Sequence, residues 1–97
     1  MADFHIQIIS PERVEFEGKI RSLVAPGEDG FIGILANHAP LLANLKPGPL
    51  SISGGRDIPM EKMEIEEGGF LEVHENKVIL LANKLKKTPI ATGRQNS

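Results

Sequence analysis

The chain contains no cysteine, no tryptophan and no tyrosine. Without cysteine there is neither a disulfide nor a thiolate metal site, and a reducing compartment is permitted. Four phenylalanines make up the whole aromatic content, 4% of 97 residues, so the planar aromatic platform of a carbohydrate-binding module is missing. No run of ~18 apolar residues is present, and no membrane-crossing helix is expected. The opening M-A-D-F-H-I-Q-I has no basic segment followed by a long apolar one, so no secretory signal is read there. An excess of positive charge is lacking as well: the net charge is −2, which argues against a nucleic-acid partner, since that requires a clustered cationic surface.

What charge there is falls unevenly. Residues 1–83 carry seven Lys/Arg against thirteen Asp/Glu, whereas residues 84–97 carry Lys84, Lys86, Lys87 and Arg94 and no acid. The sequence therefore reads as one domain over residues 1–83 followed by a basic, flexible tail over 84–97. That tail is expected either to remain solvated or to lean on the acidic face of its own domain or on anionic headgroups. A chain of this size supports one modest core, burying roughly 60–65% of the surface it exposes when unfolded.

The most informative stretch is Gly30 to Leu50, G-F-I-G-I-L-A-N-H-A-P-L-L-A-N-L-K-P-G-P-L. It is apolar, yet Gly30, Gly33, Pro40, Pro47, Gly48 and Pro49 interrupt it, and proline forbids a continuous helix. Short strands joined by tight turns satisfy both features. The same pattern extends along the chain. Phe4 to Ile8 alternates, Ser10-Pro11-Glu12 is a turn, and Val14 and Phe16 start a strand ended by Gly18. A third strand is expected over Lys19 to Ala25, with Ile20, Ser22 and Val24 on one face. Pro26 to Gly30 reads as a five-residue turn with an acidic tip. Strands follow over Phe31–Leu35 and Leu41–Leu45, the latter with Leu41 and Leu45 in the core, then a turn at Lys46-Pro47-Gly48 and a strand around Leu50 and Ile52. Ser53 to Asp57 is expected to form a hairpin loop. A parity switch between Ile58/Met60 and Met63/Ile65 implies a bulge near Glu61-Lys62 or two separate strands. Gly68-Gly69 is expected to break the chain, and Phe70–Val73 to pair with Val78–Leu81 across a two-residue turn at Glu75-Asn76. Beyond Ala82 the alternation fades, leaving at most one helical turn over Asn83–Lys87. Nine or ten short strands with turns every 8–12 residues specify an all-β sandwich or barrel.

Residues able to do chemistry are scattered. His5, His38 and His74 lie far apart with no second ligand at metal-binding spacing. Ser22, Ser51 and Ser53 have no adjacent base. The glycine pairs Gly30/Gly33 and Gly54-Gly55 sit between strands, not before a helix, so they read as turns and not as phosphate cradles. Glu61, Glu64, Glu66 and Glu67 alternate with apolar residues as a solvated face does. No catalytic residue, metal, nucleotide or cofactor is expected. The residues by themselves describe a binding or structural module, with His38 either filling a corner or touching a partner.

Two ordered blocks carry a family resemblance. Gly30, Gly33-Ile34, His38-Ala39-Pro40-Leu41-Leu42 and Lys46-Pro47-Gly48 form one. Gly68-Gly69-Phe70-Leu71-Glu72-Val73 with Asn76-Lys77-Val78 and Leu81-Ala82 forms the other, and Ile8-Ile9-Ser10-Pro11-Glu12 and Phe16-Glu17-Gly18 fit in register. Over about residues 3–83 the chain resembles the N-terminal domain of the epsilon subunit of F-type ATP synthase. That resemblance implies a flattened β-sandwich of about ten short, mostly antiparallel strands. It implies a non-catalytic place in the central stalk, between the gamma subunit and the membrane c-ring, in complex with alpha and beta subunits on the cytoplasmic face of a bacterial membrane. Carried over by position, Glu28, Asp29, Gly30, Phe31 and Ile32 are expected at the c-ring, and His38, Ala39, Pro40 and Leu42 at gamma. Phe31 stands where relatives often place a polar or acidic residue, which implies a more apolar ring contact. The alternative from another class is a free-standing β-sandwich adaptor or carbohydrate-binding module.

Family members usually continue into two C-terminal helices, some of which bind ATP. The ~14 residues after Asn83 are too few for such a hairpin at 1.5 Å per residue, and the nucleotide motif is missing. This chain is expected not to bind ATP: calorimetric titration should give no saturable heat, and a saturable isotherm would refute the expectation.

Overall fold

The computed structural model describes residues 2–54 and 60–88. Within them the backbone forms eight strands and no helix: β1 (Phe4–Ile9), β2 (Val14–Ile20), β3 (Ser22–Gly27), β4 (Gly30–Leu35), β5 (Leu41–Leu45), β6 (Gly48–Ser53), β7 (Glu61–His74) and β8 (Lys77–Thr88). The expectation of about ten short strands resolves into eight because two are long, 14 residues in β7 and 12 in β8. Each long strand serves both layers of a β-sandwich. The C-terminal part of β7 pairs with β5 and its N-terminal part with β6. The first half of β8 pairs in parallel with β1, which in turn pairs with β2. The second layer continues from β6 to β3 and β4. The result is a flattened body of 41 × 33 × 26 Å.

The turn at Glu75-Asn76 is as the sequence predicts. Both residues have positive φ, 50° and 61°, and His74 pairs with Lys77 across them. Two consecutive left-handed residues match the twist of the flanking strands. The bulge, in contrast, lies between Ile65 and Glu67 and not at Glu61-Lys62. Gly68-Gly69 does not break β7. A Cβ at Gly69 would collide with the backbone carbonyl of Leu81, so the glycine is there to let β7 and β8 approach where they bend. The adjacent bulge supplies the local twist that turns the hairpin from one layer into the other.

Three further expectations are corrected. β2 runs through Gly18 to Ile20, and the break falls at Arg21. Leu23 and Ala25 are then buried and Val24 exposed, a parity that Ile20 does not share. Pro26 and Gly27 belong to β3, which shortens the five-residue turn to Glu28-Asp29. β8 continues past residue 83 to Thr88, a strand in place of the expected helical turn. Lys84 and Lys86 face outward opposite Glu67 and Glu64 of β7, while Leu85 turns inward opposite Ile65. Opposite charges across a ladder and one inward apolar residue support a strand. Lys84 Nζ also lies 3.8 Å from Glu66 Oε1, so this part of the basic segment leans on the acidic face. The remainder of the expected tail, and most of the expected loop at Ser53–Asp57, fall outside the described residues.

The core fills the space between the layers with Phe4, Ile6, Ile8, Ile20, Leu23, Ile34, Leu50, Ile52, Ile65, Leu71, Val78 and Leu80. Leu45 joins it and Leu41 packs against it half-buried, as expected. Gly69→Ala should lower stability by about 2 kcal/mol, the range of an overpacked site, whereas Gly33→Ala, whose Cβ meets nothing within 4 Å, should be close to neutral. Chemical denaturation of both variants checks this.

Candidate partner-binding surface

The acidic tip arises from two strands that stop pairing one residue on either side of Glu28-Asp29. Gly27 pairs with Gly30, whose φ of 135° a side-chain-bearing residue rarely adopts. The tip is anchored sideways: Glu28 N–H donates to Asn44 O at 3.1 Å and Lys46 N–H to Pro26 O at 2.9 Å. Glu28, Asp29 and Gly30 are exposed, Phe31 is 65% exposed, and Ile32 is half-buried against the core. Facing them across an open groove of about 470 Å³ are Leu41, Leu42, Ala43 and Asn44. All five residues expected at the c-ring therefore line one groove, and Leu42, expected at gamma, lines it with them.

His38, Ala39 and Pro40 do not line this groove. They form the corner between β4 and β5, with Ala39 and Pro40 exposed and His38 half-buried. His38 Nδ1 lies 2.7 Å from Ala39 O; a carbonyl only accepts, so in this geometry the ring donates from Nδ1. Its backbone N–H donates to Leu35 O at 3.3 Å. Both bonds are those of a corner-filling histidine. Pro40 lines a separate shallow depression with Leu41, Leu42, Glu72, Val73 and His74.

Asn76 holds this corner in place, a role that sequence reasoning missed. Its Oδ1 accepts from Asn37 N–H at 2.7 Å, its Nδ2 donates to Asp3 O at 3.0 Å, and its backbone carbonyl accepts from His5 N–H at 3.3 Å. One turn residue thus ties together the β4–β5 corner, the start of β1 and the β7–β8 hairpin. Its place in a turn was legible; three contacts to distant segments were not.

Beyond Leu42, which is 66% exposed, further apolar residues stand on the outer face of the layer, interrupted by Glu72 and Asn44. The register sets Leu42 beside Glu72 and Ile79 in one row, and Asn44, Phe70, Leu81, Ile9 and Val14 in the next. Phe70, Ile79, Leu81 and Val14 are all exposed. A signal for this was present: Val78-Ile79-Leu80-Leu81 is apolar on both parities, and only one parity reaches the core.

Residues 3–88 match the family described as ATP synthase, Delta/Epsilon chain, beta-sandwich domain. This chain belongs to that family. Among the relatives of the family domain is the ATP synthase epsilon chain of Leptospira borgpetersenii, 46% identical over 79 residues, covering 81% of this chain and 60% of that one. The ATP synthase epsilon chain of Dichelobacter nodosus is 41% identical over 81 residues, covering 84% and 55%. The chain thus spans little more than half the length of these relatives. The sandwich also superposes on chains in two solved assemblies at TM-scores of 0.81 and 0.74. They are the mitochondrial ATP synthase OSCP/F1/c-ring of Euglena gracilis, at 18% identity over 90% of this chain and 54% of that chain, and the central stalk/c-ring of the Tetrahymena thermophila mitochondrial enzyme, at 17% identity over 96% and 72%. At such identities the likeness is one of fold.

A compact polar cluster lies away from the groove. Ser10, buried at the end of β1, donates from Oγ to Glu15 Oε2 at 2.8 Å, and Arg13 Nε donates to the same oxygen at 3.4 Å. Lys87 Nζ lies 4.0 Å from Glu15 Oε1 and donates to the Glu15 backbone carbonyl at 2.9 Å. The Ser10 hydroxyl bond, and after it the neighbouring Arg13 and Lys87, hold the Glu15 carboxyl below its ordinary pKa against an opposing effect of burial. A carboxyl lowered in the folded state contributes stability that is present above its unfolded pKa and lost as pH falls through the folded one. In Ser10→Ala the Glu15 titration, followed by NMR, should therefore move up, and the stability difference from the parent should be largest near neutral pH and shrink in acid.

Proposed function

We propose that this chain is the β-sandwich part of a non-catalytic rotor subunit of F-type ATP synthase, gripping the gamma subunit and the c-ring as ring rotation is coupled to the nucleotide sites of the alpha and beta subunits. The observation that carries this reading is that Phe31 and Leu42 are exposed in one groove and that Phe70, Ile79 and Leu81 are exposed on the same sheet beyond Glu72 and Asn44. An apolar area of this extent on a small domain marks a contact surface. Its two ends differ: the groove end carries the acidic Glu28-Asp29 tip, suited to the polar loops of a ring, and the sheet end is flat and apolar, suited to a protein that stays bound. Gamma would cover Leu42 and the rows beyond it, with His38, Ala39 and Pro40 at its margin, and the c-ring would meet Glu28 to Ile32. Relatives named as ATP synthase epsilon chains, in bacteria, support a peripheral position on the cytoplasmic face of the membrane.

Torque transmission requires a body that does not deform. A sandwich whose two layers share two continuous strands meets that requirement, because shear between layers would have to bend backbone ladders as well as move side chains. Leu42→Glu should reduce retention of a tagged gamma subunit, and Phe31→Asp retention of the c-ring, each at least ~10-fold, as charge placed in the centre of an apolar contact does. Co-purification of reconstituted rotor subcomplexes reads both; retention undiminished in both variants would overturn the proposal.

A further inference from the structure

β4 closes one end of the strand order and β2 the other, and the two edges are built differently. Along β2, Glu15, Glu17 and Lys19 alternate, and Lys87 caps the Glu15 carbonyl. Charges and a capped carbonyl are how sheets discourage strand addition. β4 reads G-F-I-G-I-L, with no charge and no proline. Phe31 and Leu35 stand 65% and 64% exposed, and a Cβ built on Gly30 or Gly33 meets nothing within 4 Å.

The direction of its backbone groups follows from β3. Pro26 O accepts from Lys46, and Glu28 N–H donates to Asn44 O, so the even-numbered residues of β3 address β5 and β6. Its odd-numbered residues Leu23, Ala25 and Gly27 then bond Ile34, Ile32 and Gly30 of β4. Antiparallel residues alternate in direction, so Phe31, Gly33 and Leu35 aim their N–H and C=O groups away from the sheet. Leu35 O already takes the His38 N–H; among the described residues β4 pairs with β3 alone, which leaves the other five to a neighbour.

We propose that two copies of this chain pair antiparallel through β4, about a two-fold axis at Gly33. Gly33 then exchanges two bonds with its counterpart, and each Leu35 N–H donates to Phe31 O of the other copy. Phe31 of each copy stacks beside Leu35 of the other, on either side of a glycine pair that leaves the axis open. Such a contact is isologous and closes on itself. Charge selects the orientation: the antiparallel pair holds the two Glu28-Asp29 tips ~30 Å apart at ~3.4 Å per residue, beyond the ~8 Å screening length, whereas a parallel pair would set them side by side. The exposed parts of Phe31 and Leu35 with the strand backbone bury roughly 600 Å² in total, well below the ~1,600 Å² of a stable complex. The dimer is accordingly weak and concentration-dependent. It does not rest on the rotor reading, although Phe31 serves both and the two contacts exclude each other.

Sedimentation velocity of the chain alone, from ~10 μM to ~1 mM, tests this, with association expected to appear toward the upper end of that range because the contact is smaller than that of a stable complex. Gly33→Lys, which keeps the fold because space is open there, should remain monomeric throughout. In a chain with no native cysteine, Gly33→Cys should form a disulfide-linked dimer on mild oxidation, and a mixture of Phe31→Cys with Leu35→Cys should cross-link faster than either variant alone. A monomer at the highest concentration, unchanged association of Gly33→Lys, or no preference for the mixed pair would overturn the proposal.

Discussion

The bend in the β7–β8 hairpin is the constraint on which the rest of this molecule depends. Both layers are continuous through it, so its geometry sets how the layers face each other and what volume lies between them. Three local features make it. Left-handed residues at Glu75-Asn76 start the hairpin with the right twist. An extra residue at Glu66 turns the ladder. Gly69 lets the two backbones come together where a side chain would hold them apart. With all three in place, Met63 and Ile65 before the bulge and Leu71 and Val73 after it all face the core.

The same arrangement decides what remains for adhesion. β8 is inserted between β1 and β7, so the first layer is complete only when the last strand is in place. Once it is, alternate residues of Val78–Leu81 are committed to the core, and Ile79 and Leu81 are left facing solvent beside Phe70 and Leu42. The exposed apolar surface is thus a by-product of strands that are apolar on both faces, and such strands are stable in water only as part of a larger assembly or at some risk of self-association.

Polar contacts hold the margins of this surface. Asn76 fixes the β4–β5 corner to two other segments through side-chain and backbone bonds. On the opposite side, Glu15 gathers Ser10, Arg13 and Lys87, and so links the β1–β2 turn to the far end of β8. Several bonds at each margin therefore tie the β4–β5 corner and the end of β8 to strands that lie far from them in sequence.

Much of the architecture was legible from residue order. Alternation over Phe4–Ile8, Leu41–Leu45 and around Leu50-Ile52 specified strands and their inward sides, and Glu75-Asn76 specified a tight turn, because side-chain direction and φ preference act within a few covalent bonds. The resemblance over Gly30 to Leu50 implied contact roles for Glu28–Ile32 and for His38, Ala39, Pro40 and Leu42. What it took the folded chain to decide was every feature that depends on distant pairing. Gly68-Gly69 by itself signals a break, but Gly69 lies inside a continuous strand against the backbone of Leu81; Asn83–Lys87 by itself permits a helical turn, but Lys84 and Lys86 pair across the ladder with Glu67 and Glu64. The joining of Phe31 and Leu42 in one groove belongs with these. Local preference sets what each segment tends to be; only long-range pairing determines which backbones touch, and therefore which apolar residues are left outside.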